Sequence, residues 1–152
     1  MRDNIDVQIA TETSLPVDIE QIKDWAVGVL KFMGTEAELT IRLVDEAEMT
    51  ALNYQYRNIN KSTNVLAFPA NVPEMIQLEV PLIGDVIICP EVLEKESKSY
   101  EKPLADHWAH ILTHGVLHLL GYDHIKESDE KVMQEHEIKI LKSFAVDNPY
   151  EH

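Results

Sequence analysis

The apolar positions of this 152-residue chain change period several times, and each change marks an element. Ile5, Val7 and Ile9 alternate with Asp6 and Gln8, which predicts a strand with one face toward a core. Ile19, Ile22, Ala26, Val29, Leu30 and Met33 then recur at helical spacing. Pro16, Asp18 and Glu20 mark the start of that helix, where acids favour the positive end of the dipole, and Gly34 supplies its stop. Strand alternation returns at Leu39, Ile41 and Leu43, after which Asp45 and Glu48 form a capping-pair pattern for a short helix through Tyr56. Strands are predicted over residues 64–68 and 82–88. Pro69, Pro73 and Pro81 punctuate a loop at 69–81, with room for local strand pairing. A helix follows from Pro90 through Tyr100, and a longer one runs from Pro103 to about Leu120. Ser128 or Asp129 is expected to cap a last helix toward Phe144.

No repeat, low-complexity tract or linker divides this pattern. Strands interleaved with helices therefore predict a single α/β (α+β) domain over residues 1–152, a small mixed sheet of about four strands packed with about five helices. Composition agrees: 45% hydrophobic and 26% charged residues describe a folded chain, long enough to bury roughly two-thirds of its unfolded surface. Charge adds a constraint. Thirteen Lys and Arg against 27 Asp and Glu leave a net charge of −14, which argues against simple coating of nucleic acid or anionic membrane. Cys89 is the single cysteine, so no internal disulfide can form and a reducing compartment is expected. The first ten residues lack the apolar run of a secretory signal, and nothing approaches the roughly 20 apolar residues that span a bilayer. A cytoplasmic protein without a membrane partner is the expectation.

The densest chemical signal is histidine: five of the seven lie between His107 and His124. His114 and His118 stand four residues apart on the long helix, separated by about 40° and about 6 Å, so both imidazoles can reach one ion. Gly121 offers a break at which the chain can turn back and bring His124 to the same metal. A rival trio, His110, His114 and His118, spans about 12 Å of straight helix and cannot easily converge on bonds of about 2.1 Å. Three histidines leave a fourth tetrahedral position for water, as in catalytic zinc sites, and place the metal on a C-terminal helix and its following loop. His107 and His110 read as partly buried residues that hydrogen-bond locally or brace the ligands, and His136 and His152 as incidental. Imidazoles also accept nickel, copper or iron. The spacing resembles the metzincin protease signature, but Gly115 stands where that signature carries its general-base glutamate. A peptidase of that kind would lack its proton acceptor.

The run His114-Gly-Val-Leu-His-Leu-Leu-Gly-Tyr-Asp-His124, together with Ser62-Thr-Asn-Val-Leu-Ala-Phe-Pro69 and Leu82-Ile-Gly-Asp-Val-Ile-Ile-Cys-Pro90, resembles the YbeY family of bacterial endoribonucleases. The resemblance implies an α/β fold with a metal in a cleft, usually assigned as zinc, one ion per chain. It also implies single-stranded RNA as substrate, maturation of the 3′ end of small-subunit (16S) ribosomal RNA, and ribosome quality control, with the ribosome or its proteins as partners. Arg57, ahead of the Thr-Asn-Val-Leu segment, is carried over as a catalytic residue, and His114, His118 and His124 as ligands, His114 acting in catalysis as well.

Charge placement supports Arg57 independently. Residues 49–73 contain no acid and only Arg57 and Lys61 as charges, and residues 107–122 are also acid-free. In a chain this acidic, these are places where phosphate can approach. Arg57 is suited to hold phosphate oxygens by a forked pair of hydrogen bonds and to stabilise charge at phosphorus. Lys61 and Asn64 join it as substrate contacts. Tyr54 and Tyr56 are candidates to stack on bases, but about 200° around a helix separates them, which predicts that at least one is core. Asp85 reads equally as a buried hydrogen-bonding strand residue or a catalytic one, Tyr122 or Asp123 as an orienting partner of a ligand, and Cys89 as a small buried residue or a fourth ligand that closes the site. The function expected is a zinc-dependent endoribonuclease, with the general base unassigned. Its rivals are a metallopeptidase-like zinc hydrolase and a metal-stabilised ribosome-assembly factor that does not cut.

Overall fold

The computed structural model describes residues 4–70, 80–122 and 126–151. Its elements run β1 (Ile5–Ala10), α1 (Ile19–Phe32), β2 (Glu38–Val44), α2 (Glu46–Arg57), β3 (Val65–Pro69), β4 (Leu82–Ile88), α3 (Pro90–Ser99), α4 (Leu104–Leu119) and α5 (Glu127–Ser143). Four strands form one mixed sheet in the order β1-β2-β4-β3. The first three are parallel and β3 is antiparallel to β4. Among the described residues one small domain of four strands and five helices results, as the periodicity predicts. The middle of the predicted 69–81 loop, residues 71–79, lies outside the described residues.

Two predicted caps are not made. Asp45 holds the N-cap position of α2 but makes no bond to its first turn; it accepts instead from the hydroxyl of Thr11, while Glu48 accepts from Arg42 Nε at 2.9 Å and Nη2 at 3.2 Å. Tertiary neighbours recruit both members of the box. Ser128 and Asp129 lie within the first turn of α5, because that helix starts earlier and Lys126 takes its N-cap place. Asp18, by contrast, caps α1 by accepting from the Gln21 amide at 2.8 Å.

Strand alternation sorts side chains onto two faces. Leu39, Ile41 and Leu43 of β2 and Val86 and Ile88 of β4 face a main core shared with Trp25 and Leu30 of α1 and Trp108 and Leu112 of α4. Ile87 and Leu66 point the other way, into a smaller cluster with Val44, Met49 and Cys89. Helix α4 is central, buried along most of its length between α1, α3, α5 and the strands β3 and β4. Its approach to the sheet depends on Gly115. A Cβ there would lie 2.7 Å from Val86 Cγ1 and 3.2 Å from Val65 Cγ2, so only glycine lets the helix seat this closely.

Candidate active site

The site is assembled at the free edge of the sheet, where α2, β3 and α4 meet. Helix α2 ends on Arg57 because Asn58 takes the left-handed conformation (φ 58°), which asparagine adopts more readily than most residues. Buried Asn53 donates from Nδ2 to the Lys61 carbonyl at 2.9 Å and ties the returning loop to the helix. The chain then enters β3 through Thr63 and Asn64. Opposite stand His114 and His118, and between the two walls lies a cleft of about 670 Å³ lined by Tyr56, Arg57, residues 63–68, His114, Gly115 and His118. None of these lining residues is acidic, so the phosphate-tolerant stretches around Arg57 and along α4 converge in space.

The two histidines have ring centroids 5.2 Å apart and planes at 70°. His114 Nδ1 lies 3.3 Å from Glu137 Oε1, within hydrogen-bonding distance. An imidazole engaged by a carboxylate through one nitrogen can offer the other to a divalent metal, so the residues present fit an ion of imidazole-binding type. Among the described residues no three His, Cys, Asp or Glu side chains gather as a metal site. The third expected ligand, His124, and its neighbour Asp123 lie outside the described residues. His110 is engaged elsewhere: its Nε2 is 3.0 Å from Glu137 Oε1 and 3.3 Å from the Tyr150 hydroxyl. It therefore braces rather than joins the pair, and the straight-helix trio is not formed. Buried His107 pairs through Nε2 with Glu96 at 2.9 Å, and the same carboxylate accepts from Asn64 Nδ2 at 3.2 Å.

Glu137 and Glu96 are the residues that sequence reasoning missed. Burial pushes the Glu137 carboxyl up, but the hydrogen bonds from His110 and His114 outweigh it and hold the group at about 2. It is thus an anion at the back of the histidine stripe. A glutamate on an otherwise charged helix carries no periodic signal that separates it from its solvated neighbours.

Other expectations divide. Lys61 contributes its carbonyl to the loop and its exposed side chain does not line the cleft. Tyr54 and Tyr56 are both exposed, against the expectation that one is core, because α2 buries little beyond Met49 and Asn53. Tyr56 does line the cleft and packs on Phe68, ring centroids 4.8 Å apart. Asp85 is exposed on β4, neither buried nor among the lining residues. Cys89 is buried in the smaller cluster and does not line the cleft, and burial pushes its thiol up, as expected of a small buried residue. Tyr122 packs against His136, ring centroids 5.0 Å apart. Among the described residues no helix is long and apolar enough to cross a membrane.

Residues 6–145 match the family model described as Endoribonuclease YbeY. The chain belongs to the YbeY family. Relatives named Endoribonuclease YbeY from Legionella pneumophila strains Corby, Lens and Paris are each 53% identical over 148 residues, covering 97% of this chain and 94% of theirs. The fold is similar to that of a protein from Thermotoga maritima determined in solution, which aligns with a TM-score of 0.58 at 21% identity over 96% of this chain and 99% of that one. Within the YbeY family assignment, Gly115 acquires a structural reason. A glutamate there would collide with Val86 and Val65, so the metzincin-like arrangement is sterically closed to this fold.

Proposed function

We propose that this chain is a zinc-dependent endoribonuclease that cleaves single-stranded RNA, acting in the cytoplasm on the 3′ end of small-subunit (16S) ribosomal RNA and in ribosome quality control. Membership of the YbeY family supports the RNA-cleaving activity and its place in ribosomal RNA maturation. The observation that carries the local reading is the convergence of Arg57, β3 and the His114–His118 pair on one acid-free cleft. One zinc ion held by His114 and His118, with His124 as third ligand, would polarise a phosphoryl oxygen and acidify a water molecule.

The chain's own groups supply the rest. Arg57 presents a guanidinium fork to two oxygens of the scissile phosphate and stabilises negative charge growing there. Tyr56, braced by Phe68, offers a face on which an unpaired base stacks, a contact every base can make. Asn64, whose amide nitrogen is held by Glu96, is fixed in direction and bonds the sugar or base through its remaining oxygen. The cleft's lack of acids admits the phosphate backbone, while the net charge of −14 repels bulk RNA from the remaining surface.

The test is metal analysis coupled to cleavage of a small-subunit RNA 3′-end fragment by wild type, Arg57→Ala and His114→Ala, with contaminating nuclease excluded. Loss of cleavage in both variants and loss of zinc in the second alone is the expected result. Unchanged cleavage in both would remove the site. Mapping the product termini then distinguishes attack by water from attack by the ribose 2′-hydroxyl.

A further inference from the structure

We propose that Glu137 and Tyr150 form a positioning relay that holds His114 in its Nδ1–H form, so that residues following the last helix set how firmly the cleft retains its metal. The proposal rests on the zinc reading above. Helix α5 is rich in exposed charge, yet Glu137 is only 1% exposed. Carboxylates are almost never buried to that degree unless paired. Here Oε1 faces His110 Nε2 at 3.0 Å and His114 Nδ1 at 3.3 Å, while Oε2 accepts from the Tyr150 hydroxyl at 2.9 Å.

With Oε2 accepting from the Tyr150 hydroxyl, Oε1 is placed to accept from both facing imidazole nitrogens. For His114 that leaves Nε2 basic, and a carboxylate behind an imidazole both orients the ring and strengthens it as a ligand. For His110 the hydrogen sits on Nε2 itself, which makes this ring a second strut of Glu137. Tyr150 completes the relay by fixing the rotation of the carboxylate, so that Oε1 and not Oε2 addresses the histidines. It comes from outside the sheet and cleft entirely. Its segment is secured by the Lys102 ammonium on the Pro149 carbonyl and by the Tyr150 amide on Asn148 Oδ1 at 2.8 Å. The relay thus links the last turn of chain to a ligand on α4.

The experiment uses the full chain as wild type, Glu137→Gln and Tyr150→Phe. Three quantities are read: zinc affinity by competition with a chromophoric chelator, the His114 tautomer from ring ¹⁵N shifts of the zinc-free protein at mildly alkaline pH, and the zinc-free melting temperature. Glu137→Gln is expected to weaken zinc about 10- to 100-fold, the range found for such outer partners, and Tyr150→Phe by a smaller factor. Wild type should show the Nδ1–H form and both variants a mixture. Should Glu137→Gln not fold, Tyr150→Phe alone decides, since it removes one hydroxyl and keeps the ring. A lower melting temperature with zinc affinity and tautomer unmoved would reduce the relay to packing and overturn it, as would the Nε2–H form in wild type. Wild type that shows the Nδ1–H form but takes up no zinc would sink the metal reading and leave the tautomer relay standing. Zinc bound equally by all three proteins would do the reverse.

Discussion

Two hollows flank the histidine stripe of α4, and they differ in sign. The cleft at its C-terminal half carries Arg57, His114 and His118 and no acid. The hollow at its N-terminal end, about 420 Å³ and reached by His107 and His110, is rimmed by Glu101, Asp106, Asp147 and Glu151. Its one lysine, Lys102, spends its ammonium on the Pro149 carbonyl. A polyanion meets repulsion at one and a guanidinium at the other, although both open on the same helix. Overall charge, then, describes a surface that repels polyanions; the local sign describes where one can approach.

Substitutions test this contrast, and the largest effect is expected at Arg57. Arg57→Ala should reduce RNA cleavage about 100- to 1,000-fold, the scale of removing one transition-state donor. Because the side chain is exposed, the melting temperature should hold, and Glu101→Gln in the other hollow should leave cleavage near wild type. Equal losses from both would erase the distinction between the hollows. Gly115→Ala is expected to destabilise by about 1–3 kcal/mol through overpacking, read by denaturant or thermal unfolding, since its methyl group meets Val86 and Val65. An unperturbed melting temperature would show that α4 has slack against the sheet. Tyr56→Ala should weaken binding of single-stranded RNA by about 1–3 kcal/mol, the worth of one stacked base, with little change in turnover. Smallest is the effect of neutralising the acidic rim. Asp106→Asn with Asp147→Asn should raise affinity for arbitrary RNA slightly at low salt, and the gain should vanish at high ionic strength as screening removes it.

The elements were legible to within a residue or two because burial imposes period 2 on strands and 3.6 on helices, and this chain keeps both cleanly. The histidine stripe was legible for the same reason. Residues 107, 110, 114 and 118 share a helical face by spacing alone, and in the fold the rings of His114 and His118 lie 5.2 Å apart while His110 Nε2 faces Glu137. Capping was less legible. Asp45 and Glu48 fit a local box, but Thr11 and Arg42, from other strands and loops, outcompete the helix's own amides. The aromatic assignment failed because angular separation on a helix predicts one buried face only if the helix is packed, and α2 is peripheral.

By itself, the sequence determined the order of elements, the single mixed α/β layer arrangement, the His114–His118 pair and the acid-free stretches, all of them consequences of local spacing. Only the tertiary structure decided that those stretches face one another across a cleft, that Gly115 is a contact point with the sheet rather than a missing base, and that Glu96 and Glu137 stand behind the histidines. Glu137 lies 23 residues from His114 along the chain, and contacts at that separation are set by how α5 packs on α4, which no periodicity encodes. Spacing along an element is a property of the chain; which elements meet is a property of the packed core.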